Sequence, residues 1–232
     1  NIAILADLQG PKLRVGLMED NVKINPGDTI SFFTGEEFTG NNSKVYMNYT
    51  DFPNDVKKGE RILVDDGKLL FEILNTNGVD EVKAKVIQGG ILSSKKGVNL
   101  PNTKLSLPAL TNKDKKDALF ALEQGVDWIA LSFVRYAKDL KKLEKLIRNN
   151  SEYKVPIIAK IEKPEGVANI KKIVAYCDGI MVARGDLGVE VPAEEVPLIQ
   201  KKLVLIAKKA RIPVIIATQM METMIDSLTP TR

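Results

Sequence analysis

P-I-I-A-K-I-E-K-P-E-G-V-A-N-I-K-K-I-V-A-Y-C-D-G-I-M-V-A-R-G-D-L-G, residues Pro156 to Gly188, decides the fold. Two short apolar runs, Ile157 to Ile161 and Ile180 to Ala183, each end in charge, and between them Val167, Ile170, Ile173 and Val174 recur at helical spacing. The stretch predicts a strand, a helix and a strand. Runs this apolar suit strands buried on both faces of a parallel sheet, which places its ligands at the carboxyl ends of its strands. Lys160, Glu162, Arg184 and Asp186 stand at those ends. Two carboxylates and two cations at one mouth suit a divalent metal and an anionic substrate.

The same alternation recurs on both sides. Asn1 to Leu8 is a buried-strand candidate ending in Asp7; after Pro108 come a helix capped by Thr111 and Asp114, the strand Trp128 to Phe133 and a helix carrying Leu140, Leu143, Leu146 and Ile147. Beyond the opening stretch follow a helix through Val196, Ile199, Leu203 and Ile206 and the strand Val214 to Thr218. Between Arg14 and Leu107 the character changes to short alternating segments broken by Pro26-Gly27-Asp28, Asp65-Asp66-Gly67, Asn77-Gly78 and Gly89-Gly90. Val22 to Ile24, Thr29 to Phe33, Arg61 to Val64, Leu69 to Leu74 and Glu81 to Val86 read as its strands, in a compact barrel or sandwich.

Polar residues end each strand of the alternating part: Asp7, Ser132, Lys160 and Glu162, Arg184 and Asp186, Thr218 and Gln219. Such a set fits a ring converging on one mouth better than an open sheet. The expected fold class is α/β, a partial TIM (β/α)8 barrel with an inserted small all-β domain. The expected domains are residues 1–13 as a barrel strand, 14–107 as the inserted β-domain or lid, and 108–232 as barrel βα units. Only five βα strands can be counted, and the chain starts at once on a strand. A piece of a longer polypeptide, exposing strand edges, is therefore expected.

Composition narrows the chemistry. The 232 residues are 44% hydrophobic and 28% charged, enough for a globular core. Lys+Arg 34 against Asp+Glu 30 is too slight a bias, without a basic run, to argue for nucleic acid. No histidine is present, which removes every imidazole relay, carrier or metal site. Cys177, the single cysteine, excludes a disulfide framework and fits a reducing cytoplasm; it reads as a packed thiol. No membrane span or signal segment is apparent.

Glu162 and Asp186, acidic at the tips of successive strands, can share one Mg²⁺ and leave positions for substrate oxygens and water. Either carboxylate alone would more often be a surface residue; the pair on consecutive strands reverses that. Lys160 lies two positions before Glu162 and points to the same side. A cation on a buried strand is costly unless paired or functional, which leaves three roles open: structural ion pair, Schiff-base lysine, or fixed charge facing a phosphoryl group. Gly185-Asp186-Leu187-Gly188 lets backbone N–H groups approach a carboxylate or phosphate, a weak signal alone. Thr218 ends its strand with a hydroxyl, and its weight comes from its neighbours.

Six motifs in order resemble the pyruvate kinase family: L-A-D-L-Q-G-P-K-L-R at Leu5 to Arg14, S-K-K-G-V-N-L-P at Ser94 to Pro101, S-F-V-R at Ser132 to Arg135, A-K-I-E at Ala159 to Glu162, G-I-M-V-A-R-G-D-L-G at Gly179 to Gly188 and A-T-Q-M-M-E-T-M at Ala217 to Met224. The resemblance implies barrel strands 3 to 7 with a β-domain inserted after the third, and phosphoryl transfer from phosphoenolpyruvate to ADP, giving pyruvate and ATP. It implies Glu162 and Asp186 as ligands of Mg²⁺ or Mn²⁺ and Lys160 as the charge on the transferring phosphoryl group. By the same resemblance Gly185 and Asp186 receive the substrate carboxylate, Thr218 lines the face where the enolate is protonated, and Arg14 and Lys96 meet the nucleotide phosphates as the lid closes. A cytoplasmic homotetramer is implied for the full-length protein.

Potassium-dependent members are similar at the first motif but carry Thr and Glu where this chain has Leu8 and Lys12. The Lys12 ammonium then stands in for K⁺, K⁺ is not required, and Asp7 is a partner of Lys12 rather than a monovalent-ion ligand. Arg184 reads as a structural partner of a carboxylate across the barrel. Two alternatives remain: a metal-dependent pyruvate-enolate aldolase or lyase, and a catalytically silent nucleotide- or metal-binding fragment.

Overall fold

The computed structural model describes residues 2–218 and 222–225; Gln219, counted above among the strand-end residues, lies outside them. In chain order the elements are β1 (Leu5–Leu8), β2 (Lys23–Ile24), β3 (Thr29–Phe33), β4 (Lys44–Tyr46), α1 (Phe52–Asp55), β5 (Arg61–Val64), β6 (Leu69–Thr76), β7 (Glu81–Gln88), β8 (Gly90–Ile91) and β9 (Val98–Asn99). There follow α2 (Asn112–Glu123), β10 (Trp128–Leu131), α3 (Ala137–Asn150), β11 (Ile157–Ile161), α4 (Pro164–Ala168), α5 (Ile170–Ile173), β12 (Gly179–Ala183), α6 (Arg184–Glu190), α7 (Val196–Ala210) and β13 (Val214–Ala217). Two compact units result, Asn1–Pro11 with Leu107–Arg232, and Lys12–Ser106.

The first unit is built on a five-stranded sheet in the order β1-β10-β11-β12-β13, with every pairing parallel. Strands that follow one another in the chain of this unit are neighbours in space, with no reversal of order. That is the progression of a barrel wall, whereas a doubly wound sheet reverses direction at a switch point. Strand alternation sorts the side chains. Leu8, Ile129, Leu131, Ile157, Ala159, Ile161, Ile180 and Val182 join one buried apolar cluster with Leu140, Leu143, Ile147 and Leu203 of the helices. The intervening residues, among them Asp7, Ala130 and Lys160, belong to the opposite face.

α2 begins with a complete capping box, Thr111 accepting from the Asp114 N–H while the Asp114 carboxylate accepts from the Thr111 N–H. The segment expected as one helix between the strands of Pro156 to Gly188 is two short ones, α4 and α5, separated at Asn169. The Asn169 side chain donates to the carbonyls of Arg135 and Glu165, at 3.2 and 2.9 Å, giving this junction its own hydrogen bonds.

The second unit has a six-stranded sheet in the order β4-β3-β7-β6-β5-β9 and a two-stranded ribbon of β2 and β8. Its edges do not stay open. Val98 N–H donates to the Leu13 carbonyl and Gly16 N–H to the Tyr46 carbonyl, both at 2.9 Å, so the segment around Arg14 bonds both edge strands and closes a small barrel. Phe32 packs edge-on against Phe52 and Phe71 at its centre, with ring centroids 6.2 and 5.3 Å apart.

Candidate active site

Three strand ends of the first unit converge on one ammonium. Lys160 Nζ lies 3.0 and 3.1 Å from the two Asp7 oxygens, 2.8 Å from Ser132 Oγ and 3.2 Å from Glu162 Oε1. β1, β10 and β11 each supply a residue because adjacent strands in register point paired side chains to the same side. Within this unit the Asp7 carboxylate is engaged by Lys160. Burial acts to lower the Lys160 pKa, but Glu162 and Asp7 more than offset it, so the lysine is held above its ordinary range and stays charged.

Glu162 has a side chain only 1% exposed. Its second oxygen, Oε2, accepts the Phe133 N–H at 2.7 Å. Burial pushes the carboxyl up; Lys160 works against that, the charge of Asp186 adds to it, and the net shift is upward. Asp186 is exposed in the first turn of α6, whose helix starts at Arg184, so Gly185 and Asp186 belong to the helix rather than to a turn before it.

The residue that donates to Glu162, Phe133, has φ 54°, a left-handed conformation rare for an aromatic residue. Thr218 is a second case, at φ 72° and exposed. For a β-branched residue such a conformation costs on the order of 1–3 kcal/mol and must be held by its surroundings. Arg184 does the holding. Its Nε donates to the Ala217 carbonyl at 2.9 Å and its Nη2 to the Thr218 carbonyl, which corrects the expected carboxylate partner: the guanidinium, buried, fixes the strand end that bears Thr218.

In the second unit, Arg14 forms a bridge with Gly97, so Arg14 and Lys96 lie on adjacent segments of the small barrel. Arg14 Nη1 donates to the Lys95 carbonyl at 2.7 Å, and Lys96 Nζ pairs with Asp65 at 3.0 Å. Burial would raise Asp65, yet Lys96 and Lys68 outweigh it and hold the carboxyl below its usual range. The structure thus assembles Asp7, Lys160, Glu162 and Asp186 within one unit, and Arg14 with Lys96 within the other.

Sequence reasoning gave no role to Ser132, the Phe133 N–H or the buried pair of Lys163 and Glu190, whose Nζ and Oε1 are 2.6 Å apart. The first two carry no signal beyond a polar strand end. Lys163 did carry one, a second cation directly after Glu162. Among the described residues no group of three or more carboxylate, histidine or cysteine side chains converges as a metal cage, and no helix is long and apolar enough to cross a membrane.

Comparison with known proteins agrees with this geometry. The family model described as the pyruvate kinase barrel domain matches residues 1–232. The pyruvate kinase of Corynebacterium glutamicum is 47% identical over 232 residues, covering 100% of this chain and 48% of that protein. Pyruvate kinase 2 of a Synechocystis species is 46% identical over 240 residues, covering 100% of the chain and 39% of the relative. The crystal structure of a pyruvate kinase from Cryptosporidium parvum superposes with a TM-score of 0.89 at 37% identity, over 99% of this chain and 48% of that one. The chain spans about half the length of the curated relatives it matches. A parallel wall with consecutive strand order, interrupted after its first strand by a small β-barrel and matched along its whole length, makes this chain a member of the pyruvate kinase family, with the α/β fold of a partial TIM barrel.

Proposed function

We propose that the protein to which this chain belongs transfers the phosphoryl group of phosphoenolpyruvate to ADP, giving pyruvate and ATP, with its chemical centre at Lys160. The observation that carries the reading is the setting of Lys160: a charged, half-buried ammonium held by Asp7, Ser132 and Glu162. A lysine kept protonated is a poor nucleophile, which argues for a fixed positive charge over a Schiff base. Such a charge suits a loose phosphoryl-transfer transition state, where positioning and electrostatics dominate.

Glu162 and Asp186 fit a divalent cation, Mg²⁺ or Mn²⁺. Their mutual repulsion, which helps to raise Glu162, is what a shared cation relieves, and two protein carboxylates leave positions for substrate and water. The ion supplies neutralisation of charge on the substrate oxygens. The backbone at Gly185 and Asp186 receives the substrate carboxylate, and Thr218, held by Arg184 in its left-handed conformation, lines the face where the enolate is protonated. Arg14 and Lys96 bind the nucleotide phosphates. Lys12 and Leu8 in the first motif support turnover without K⁺, and the engagement of Asp7 by Lys160 supports reading Asp7 as an ion-pair partner. The full-length protein acts as a cytoplasmic homotetramer in this reading.

The test is a coupled assay of the full-length protein. ATP and pyruvate are expected from phosphoenolpyruvate and ADP with Mg²⁺ in K⁺-free buffer. Absence of ATP from folded protein with either Mg²⁺ or Mn²⁺ would overturn the reading, and a large activation by K⁺ would overturn its potassium-free part.

A further inference from the structure

Asp114 makes one hydrogen bond that its capping role does not need. As the N3 residue of α2 it accepts with Oδ2 from the Thr111 N–H at 2.9 Å and the Thr111 hydroxyl at 2.6 Å, completing the cap. Its other oxygen, Oδ1, leaves the helix and accepts the N–H of Gly10, 104 residues earlier, at 3.0 Å. The residue is fully buried. A buried carboxyl group bonded through both oxygens fixes the turn that follows β1.

That turn lies directly against the site. Gly10 has φ +69°, and a Cβ built there would stand 2.8 Å from Phe133 Cδ2 and 3.0 Å from Ser132 Cβ. Its backbone is thus packed flush on the two residues that orient the centre. Ser132 Oγ is 2.8 Å from Lys160 Nζ, and the Phe133 N–H, on its left-handed residue, is 2.7 Å from Glu162 Oε2. Asp7, three residues before Gly10 on the same segment, holds Lys160 from the other side.

We propose that Asp114 is a positioning residue for the Lys160 and Glu162 centre: by clamping Gly10 against Ser132 and Phe133 it keeps the lysine and the metal carboxylate in register. The inference rests on the function proposed above. Groups that orient a metal ligand from behind are worth roughly 10–100-fold in affinity or turnover, and a centre loosened by a fraction of an ångström loses rate before it loses binding of the whole substrate.

The test uses the full-length protein with substitutions at three positions. Thr111→Val removes the hydroxyl of the cap, Asp114→Ala removes both the cap and the clamp, and Gly10→Ala disturbs the clamp while leaving the cap. Each variant is measured for melting temperature, for Mn²⁺ affinity by water-proton relaxation without substrate, and for kcat and KM. Thr111→Val is expected to lower the melting temperature by roughly 1–2 °C in a protein of about twice this length with kcat and Mn²⁺ affinity unchanged. Asp114→Ala and Gly10→Ala are expected to lower kcat and Mn²⁺ affinity by roughly 10–100-fold with KM for phosphoenolpyruvate changed far less. Asp114→Asn, which can keep its carbonyl on the Gly10 N–H, restores most of both.

Unaltered Mn²⁺ affinity and kcat in Asp114→Ala, or losses that Thr111→Val reproduces, overturn the inference. Should Asp114→Ala not fold, Asp114→Ser, which keeps a polar N3 group for the cap but is one atom too short for the Gly10 N–H, decides by the same readouts. If the unsubstituted protein binds Mn²⁺ but makes no ATP, the transfer reading falls and the Mn²⁺ comparison still judges the clamp. Failure of the unsubstituted protein to bind Mn²⁺ overturns both.

Discussion

Lys160 and Asp7 meet although their strands are not neighbours. β10 lies between β1 and β11 in the sheet, yet Lys160 Nζ is 3.0 Å from Asp7 Oδ1 and 3.1 Å from Oδ2. The register explains the reach. Asp7 is level with Ala130 and Ala130 with Ile158, so Lys160 is the next residue of β11 on that face. Ala130, with only a methyl group, occupies the strand in between, and Ser132 beyond it gives the ammonium a third acceptor.

This arrangement makes Lys160→Met costly in two ways. Removing the fixed charge is expected to lower kcat by roughly 10²–10³-fold or more. It also leaves Glu162 buried without its cation, a loss of about 3–5 kcal/mol in protein freed of divalent ions. The pH dependence has a definite sign. Glu162 already has a folded-state pKa above its ordinary value and loses the partner that restrains it, so its contribution is present at low pH and lost as pH rises through that pKa. Urea denaturation in EDTA is expected to show a larger deficit at pH 8 than at pH 5.5; equal deficits at both would count against the account.

Glu162→Gln separates metal binding from stability. Glutamine keeps an oxygen for the Phe133 N–H and removes a charge that burial penalises, while Lys160 retains Asp7. Divalent-ion affinity is expected to fall by roughly 100-fold. The metal-free variant is expected to match or exceed the stability of the unsubstituted protein at pH 8, because an ionised carboxylate in a dry site is seldom net stabilising. A clear loss of stability in EDTA would show that the ion pair outweighs the burial.

The wall of the barrel is legible because its middle strands, β10 to β12, are almost wholly buried on both faces, which leaves apolar runs such as Ile157 to Ile161. The charges at the ends of those runs were legible for the same reason: nothing but pairing or function excuses Lys160 and Glu162 there. Other features were hidden. β4, three residues long and directly after Asn41-Asn42-Ser43, is too short to show a period of two. The pairing of Asp7 with Lys160 depends on a register across an intervening strand. The left-handed Phe133 and Thr218 contradict local preference, as residues at a working site often do. Asp114 is legible as a cap, whereas the partner of its second oxygen, Gly10, lies 104 residues away and is set by the fold alone.

Lys163 and Glu190 form a buried pair that ties the start of α4 to the end of α6, the helix that begins with Gly185 and Asp186. Their side chains are 8% and 1% exposed. Lys163→Met removes the ammonium 2.6 Å from the buried Glu190 carboxylate and is expected to destabilise by about 3–5 kcal/mol. The double change Lys163→Met with Glu190→Leu is expected to recover part of that, since it removes both charges of the pair together. A double-mutant cycle in urea provides the measurement, and additive losses would show that the two residues are not energetically coupled.

Cys177 is expected to be chemically quiet in the folded protein. Burial, as the leading cause, pushes its thiol up to about 12, with the Asp178 charge adding to the effect and the Gly179 and Ala159 backbone groups opposing it. Only the thiolate attacks an alkylating reagent, so at pH 8 a thiol with that pKa is ionised to about 1 part in 10⁴, against roughly a quarter for an ordinary one. Alkylation of native protein is therefore expected to be at least ~100-fold slower than in urea. Its rate should climb about tenfold per pH unit between 7 and 9 if direct attack on the native thiol dominates. A flat profile would instead assign the protection to occlusion, with labelling gated by opening. The linkage follows the same sign: the neutral thiol stabilises the fold fully below its unfolded pKa, and that contribution is lost as pH climbs toward 12. Cys177→Ala should remove this part of the alkaline slope in melting temperature while leaving the acid side unchanged.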